Sequence, residues 1–196
     1  MARGSSPSGD AELARLGNLL GAWALAVADR VEAATSTAAD RGGQAPAALV
    51  ALHEFAGGGT IEDLRRVLGL THSAVVRLVD GLVGDGHVTR RPGAGDARSV
   101  ALILTASGRA AARGILRARA RAVEATLAGL PDAQRRSLTA LAERLTGDLA
   151  ELRLEERRRG TPPTGGWLCR LCDFEACGRP AGRCPAAARA AVTSTS

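Results

Sequence analysis

Four cysteines lie close together near the end of a chain of 196 residues that has no other cysteine. They are Cys169, Cys172, Cys177 and Cys184, so the spacing is Cys-x2-Cys-x4-Cys-x6-Cys. Thiolates at such spacing can close a tetrahedral zinc site, hold an iron–sulfur cluster or form reversible disulfides. The close spacing favours zinc, with an iron–sulfur cluster as the alternative and disulfide switching as a third interpretation.

The residues around the cysteines favour a bound ion. Trp167 and Phe174 are half of the aromatic residues of the chain, and apolar residues are otherwise few, so this segment could not fold without an ion. We therefore predict a four-cysteine metal-binding module at residues 167–185, called the cysteine tail below. A linker at 159–166 is expected to separate it from the rest of the chain, and residues 186–196 are expected to be disordered.

The charge of the chain indicates an anionic partner. All 26 basic residues are arginine, the net charge is +6 at pH 7, and the pI is about 10.6. An arginine excess is typical of proteins that bind nucleic acid, although a bias towards arginine codons explains the absence of lysine equally well. Aromatic residues make up only 2% of the chain, so its core must consist of Leu, Val and Ala.

The spacing of apolar residues predicts a mainly α chain with a small β-hairpin, which is an α+β arrangement. Residues 1–9 are rich in Gly, Ser and Pro and are expected to be disordered. We predict helices at about 10–38, 46–56, from the Thr60 cap to Gly69, from Thr71 or Ser73 to Gly84, 106–129 and 131–158. Two strands are predicted at His87–Arg91 and Ser99–Thr105.

Two short helices joined by a tight turn and followed by a hairpin form a winged helix-turn-helix. The second helix places short polar and basic side chains at its start and on its outward side, where they can contact bases and phosphates: Thr71, His72, Ser73 and Arg77. The hairpin, or wing, adds Arg90, Arg91 and Arg98, which suit phosphates or a narrow minor groove. We expect these residues to contact double-stranded DNA.

The most specific motif lies in residues 68–110, LGLTHSAVVRLVDGLVGDGHVTRRPGAGDARSVALILTASGRA. It resembles the core of the MarR family of bacterial regulators, above all in Asp96-x-Arg98-x3-Leu102-x-Leu104-Thr105-x2-Gly108. The resemblance implies that Asp96 braces Arg98 and that Arg98 touches DNA. It covers about residues 11–155 and implies a winged-helix domain at 10–158, with a DNA-binding core at 45–105 and dimerisation helices at 10–38 and 106–158. The cysteine tail is not part of the general family pattern.

The first predicted helix independently favours a homodimer. Its apolar residues form one stripe, with spacings of three and four: Leu13, Leu16, Leu20, Trp23 and Val27. Together with the leucines of residues 131–158, this stripe exceeds what so small a core needs. A homodimer would bury both stripes and present two reading helices to an inverted-repeat operator.

Several other classes are not expected. The apolar run at 19–28 is too short to span a membrane, and Asp10 and Glu12 stand where a signal peptide needs positive charge, so we expect a cytoplasmic protein with no membrane partner. The sequence offers no constellation for catalysis, so we do not expect an enzyme. The sequence predicts a homodimeric regulator, a repressor, that responds to a metal, redox or small-molecule signal. The alternative is a metal-binding module for protein interaction whose winged helix does not read DNA.

Overall fold

The computed structural model describes residues 7–55, 59–93, 100–160 and 165–193. Within these ranges the chain forms helices α1 (Pro7–Ala39), α2 (Ala45–Glu54), α3 (Ile61–Leu68), α4 (His72–Gly84), α5 (Ala106–Leu127), α6 (Asp132–Arg158) and α7 (Pro185–Thr193), and strands β1 (Val88–Pro92) and β2 (Val100–Leu104). The mainly α fold with one hairpin confirms the predicted fold class.

Local capping sets the bounds of the two helices of the helix-turn-helix. Thr60 and Asp63 form the predicted capping box: the Asp63 N–H donates to the Thr60 hydroxyl at 3.1 Å, and the Thr60 N–H donates to the Asp63 carboxylate at 2.9 Å. Gly69 ends α3 in the left-handed conformation at φ +67°. Thr71 then caps α4, because its hydroxyl accepts from the Ala74 N–H at 3.3 Å.

Strands β1 and β2 pair antiparallel, with Val88 opposite Leu104 and Pro92 opposite Val100. Gly59 extends this small sheet, since its carbonyl accepts from the Leu102 N–H at 2.8 Å. The predicted wing residues Asp96 and Arg98 lie outside the described residues, so their roles stay predictions.

The core lies between α2, α3, α4, α5 and the hairpin. It consists of small and branched aliphatic side chains, as the scarcity of aromatic residues requires, and its largest fully buried members are Leu49, Leu82, Leu102, Ile115, Val50, Val75, Val79 and Val88. No single helix among the described residues is long and apolar enough to cross a membrane. The α3–α4 pair passes such a test by length and composition only, with a 111° bend at its break.

Helices α1 and α6 leave large apolar side chains uncovered in the protomer. On α1, between 46% and 70% of each of the following side chains is exposed: Leu13, Leu16, Leu19, Leu20, Trp23 and Leu25. On α6, between 50% and 58% is exposed for Leu141, Leu145, Leu149 and Leu152. Apolar surface of this extent is typical of an association surface.

The two ends of the chain contain more helix than the sequence predicted. Helix α1 begins at Pro7, inside the segment expected to be disordered, and α7 occupies residues 185–193, where disorder was also expected. Both helices start with proline, which is well suited to the first helical position. Helix α7 is alanine-rich, and its Arg189 pairs with Asp148 at 3.7 Å and Glu151 at 3.5 Å, which fixes it to α6.

Candidate nucleic-acid interface and cysteine cluster

Helix α4 buries one side and exposes the other. Val75, Val79 and Leu82 point into the core, whereas the predicted DNA-contacting side chains at the start and on the outer side are exposed: Thr71, His72, Ser73 and Arg77. The Thr71 hydroxyl already caps the helix, so its first role is to fix where the helix begins. His72, Ser73 and Arg77 remain directed to the outside, as a reading helix requires.

The basic side chains near α4 fall into two groups. Arg77 and Arg91 are exposed and make no ion pair with any residue that the structure describes. Arg90, in contrast, donates to the Asp80 carboxylate of α4 at 2.6 Å. This pair fastens the wing to the reading helix. Asp80 lies within the MarR-like segment 68–110, but the sequence predicted no role for it, although its place one turn after Arg77 on the exposed side of α4 was a usable signal.

The acidic residues of α3 next to the interface are compensated internally. Arg65 donates to Glu62 at 2.7 Å, and Arg66 lies 3.2 Å from Asp63. The hydrogen bond from Arg65 holds the pKa of Glu62 below its usual value. These pairs offset the negative charge of α3, which would otherwise repel a phosphate backbone.

The junction between α4, β1 and α5 shows the structural roles of Thr105 and Gly108, the last residues of the MarR-like motif. The Thr105 hydroxyl donates to the Gly86 carbonyl at 2.8 Å and accepts from the Gly108 N–H at 3.0 Å, so it caps α5 and anchors the turn before β1. Gly108 lies against the His87 carbonyl, where a Cβ atom would clash. The Thr-x-x-Gly pattern therefore positions the base of the wing and needs no contact with DNA.

The four cysteines come together at one pocket beside α6. All four are free thiols, and all line a pocket of about 450 Å³. No three His, Cys, Asp or Glu side chains in the described ranges already form a metal site. The structure therefore shows four free thiols that line one pocket.

The thiols of Cys169 and Cys172 differ in acidity. Interaction with the Cys169 thiol lowers the pKa of Cys172 to about 6, with further help from Arg119 and Arg179. The same interaction, followed by burial, raises the pKa of Cys169. Burial raises the pKa of Cys177. Of these three thiols, Cys172 therefore ionises first.

The cysteine tail packs against the winged-helix core through an aromatic cluster of Phe55, Trp167 and Phe174. Phe55 makes edge-to-face contacts with both others, at centroid distances of 5.3 Å to Trp167 and 4.8 Å to Phe174. The Arg179 guanidinium lies 4.4 Å from the centre of the Phe174 ring. Three of the four aromatic residues of the chain therefore serve this one contact.

A carboxylate of α2 also holds the tail. Glu54 accepts a hydrogen bond from the Phe174 N–H at 3.1 Å. Burial raises the pKa of Glu54, and the hydrogen bond only partly offsets that effect. The end of α2 thus contributes one ring and one hydrogen-bond acceptor to the docked tail.

Backbone contacts fix the start of the tail to the turn between α3 and α4. The Trp167 N–H donates to the Val67 carbonyl at 2.7 Å. A Cβ atom on Gly69 would lie 2.5 Å from the Gly165 carbonyl carbon, so the two segments touch backbone to backbone. Arg153 of α6 donates to the Gly166 carbonyl at 2.7 Å. We call these contacts of residues 165–167 with residues 67–69 and Arg153 the seam; no sequence pattern predicted them.

A helix-turn-helix followed by an antiparallel hairpin, with the reading helix exposed, defines a winged helix-turn-helix protein. Comparison with known proteins shows which family the winged unit resembles. A model of the MarR family matches residues 40–99, from before α2 to the wing. This match agrees with the resemblance that the wing motif indicated.

Solved structures share the fold. A MarR family protein from Bacillus stearothermophilus aligns with a TM-score of 0.63 at 21% identity, over 71% of this chain and 96% of that one. YusO from Bacillus subtilis gives 0.60 at 17% identity, over 72% and 97%. CouR from Rhodococcus jostii RHA1, solved with p-coumaroyl-CoA, gives 0.53 at 24% identity, over 66% and 90%. No curated protein sequence matches the chain. More than a quarter of this chain therefore has no counterpart in these neighbours, and the cysteine tail lies beyond the family match.

Proposed function

We propose that the protein is a homodimeric repressor that binds an inverted-repeat operator through α4 and the wing. The exposed side of α4, with Arg77 free of described ion pairs, carries this proposal. An unpaired guanidinium on a reading helix can bind the two acceptors of a guanine edge without first breaking a salt bridge. The family match supports DNA as the partner.

The dimer is proposed from the uncovered stripes of α1 and α6. Burying one exposed leucine contributes up to about 1.5–3 kcal/mol, so the nine exposed leucines of α1 and α6, together with Trp23, can stabilise a lasting dimer. Because a two-fold dimer presents α4 twice, the half-sites should lie about one helical turn of DNA apart, or a small multiple of that distance. A cytoplasmic location is part of the proposal, since it keeps the four thiols reduced.

Leu145→Glu tests the dimer. A buried charge should split it into monomers, measured by light scattering after size exclusion, while Arg144→Glu, one residue along and 81% exposed, should leave it intact. A dimer that survives both changes would exclude α6 as the interface.

Arg98→Ala and Arg77→Ala test the reading of DNA. Each should weaken operator binding by about 1–3 kcal/mol, or roughly 5- to 150-fold, because each removes a proposed groove or phosphate contact. Asp96→Ala should give a smaller loss in the same direction, by releasing Arg98. The assay is fluorescence anisotropy at fixed salt, with Arg158→Ala on exposed α6 as the control. If the wing and α4 variants bind like the wild type, the alternative of a protein-interaction module is favoured.

A groove between α1 and α5 is a candidate binding site for a small-molecule effector. A groove of about 680 Å³ is lined by alanines together with Arg30, Thr37 and Arg121. CouR was solved with p-coumaroyl-CoA, which shows that this fold can hold an anionic ligand. We propose that an anionic effector would bind here between the two arginines. Arg121→Ala should then abolish effector release of the operator without changing DNA affinity in the absence of effector.

A further inference from the structure

The cysteine tail carries a structural feature that winged-helix DNA binding does not require. Its four thiols are free and line one pocket. Cys184 is only 4% exposed, and the other three are partly buried. Four soft ligands gathered from a stretch of sixteen residues are suited to one thiophilic metal ion.

The four thiols suit a zinc site. Zinc–sulfur bonds of about 2.3 Å in a tetrahedron place neighbouring sulfurs about 3.8 Å apart. Because no three ligands in the described ranges yet converge, loading has to draw the four sulfurs together across the pocket. The close spacing of the cysteines along the chain favours zinc over an iron–sulfur cluster.

The charge around the pocket suits four thiolates around a divalent ion. Each thiol loses its proton to solvent as its sulfur binds, so a complete site carries a net charge of −2. Arg179 and Arg119 both act on Cys172, and Arg183 also lines the pocket. Arginine keeps its charge at any physiological pH, so it offsets the thiolates continuously.

The tail is fixed to the DNA-reading unit at the seam. The backbone of Gly165 and Gly166 lies directly on the α3–α4 turn at Gly69, and Arg153 ties the same segment to α6. Only two residues separate Gly166 from the first cysteine of the pocket. A change in the order of the tail therefore acts on the turn that positions α4.

We propose that Cys169, Cys172, Cys177 and Cys184 bind one zinc ion and that the loaded tail, through the seam, holds the α3–α4 turn in the arrangement that binds the operator. Loss of zinc removes the ligand bonds that order the tail, since it has little core of its own. The turn then samples more conformations. DNA binding has to restrict them again, and this entropic cost weakens binding. The second half of this inference rests on the proposed DNA-binding function, whereas the zinc site does not.

The zinc site is tested on the full chain purified anaerobically with a reductant. Elemental analysis should find about one zinc per protomer in the wild type, and Cys172→Ser should lose most of it. Glu175→Gln is the matched control, because Glu175 is exposed within the tail and has no thiol. Wild-type protein without zinc, or brown protein with iron and broad visible absorption, would overturn the zinc assignment.

The coupling is tested by operator binding with zinc bound and after removal by EDTA under reducing conditions. Removal should weaken binding by at least about fivefold, the lower end of typical coupling between sites. Arg153→Gln should keep its zinc but lose much of this dependence, because it breaks the tie between α6 and Gly166. Equal or tighter binding after zinc removal would overturn the coupling. A chain that holds one zinc but binds no DNA in either state would instead refute the proposed function and leave the zinc site standing.

Discussion

The contact between the tail and the turn predicts an unusually large effect of Gly69→Ala. Gly69 has a φ of +67°, where a residue with a Cβ atom is strained by about 1–2 kcal/mol. The new Cβ would also lie 2.5 Å from the Gly165 carbonyl carbon, 2.6 Å from its oxygen and 2.7 Å from the Gly166 nitrogen. These atoms are backbone and cannot rotate away, so overpacking should add about 1–3 kcal/mol. The expected total loss of stability is about 2–5 kcal/mol.

Gly43→Ala separates the two contributions. Gly43 has the same φ of +67°, but its Cβ would meet nothing within 4 Å, so this variant should show only the backbone cost of about 1–2 kcal/mol. Urea unfolding at one fixed protomer concentration gives both values, and Trp167 fluorescence reports whether the tail has left the core. If both variants lose the same free energy and Trp167 fluorescence is unchanged, residues 165 and 166 do not rest on Gly69.

Two further substitutions test the reading unit. Gly108→Ala should destabilise the protein by about 1–3 kcal/mol, since its Cβ would press on the His87 carbonyl. Gly114→Ala on the same helix is the control: its Cβ meets nothing within 4 Å, so it should stabilise the protein by about 0.5–1 kcal/mol. Thermal melts in which both variants change stability in the same direction would refute the packing at Gly108. Asp63→Ala should cost about 0.5–2 kcal/mol at pH 7 by removing the capping box. Hydrogen bonds from the Thr60 backbone and hydroxyl hold the pKa of Asp63 below its usual value of 3.8. The contribution of Asp63 to stability is therefore present above pH 3.8 and is lost as the pH falls through the lower pKa of the folded state. Urea titrations should show that the difference in unfolding free energy between the wild type and Asp63→Ala becomes smaller at acid pH. A difference that stays constant with pH would contradict this reasoning.

The elements that the sequence predicted well are those with local signals. Thr60 and Asp63 are three residues apart, and Gly69 is adjacent to the helix that it ends, so the bounds of α3 depend on short-range chemistry alone. The alternation of Val100, Leu102 and Leu104 likewise predicted β2, because β2 buries Leu102 and Leu104 and leaves Ala101 and Ile103 only partly buried. Val100, at the start of the strand, is exposed. The roles of Asp96 and Arg98 stay predictions.

The docking of the tail could not be predicted, because it depends on residues far apart in the chain. Glu54 and Phe174 are separated by 120 positions, and neither has a sequence signal for the other. The sequence predicts that Gly165 and Gly166 belong to a linker. The same residue type that permits a flexible linker also permits close backbone contact, and only the structure distinguishes the two. Helix α7 was missed for a related reason, since its ion pairs with α6 lie outside the local pattern.

The position of the seam residues in the chain determines when the seam can form during synthesis. Gly166 leaves the ribosome about a hundred residues after Gly69. At a synthesis rate of about 5–20 residues per second, roughly 5–20 s pass between the synthesis of the helix-turn-helix and that of the seam residues that contact it. During that interval the nascent winged helix has to keep its shape by its caps and core alone, with Phe55 still uncovered. The seam therefore forms only after the helix-turn-helix has been made, and a chain cut short before Gly165 would carry a complete reading helix without the contacts that restrain it.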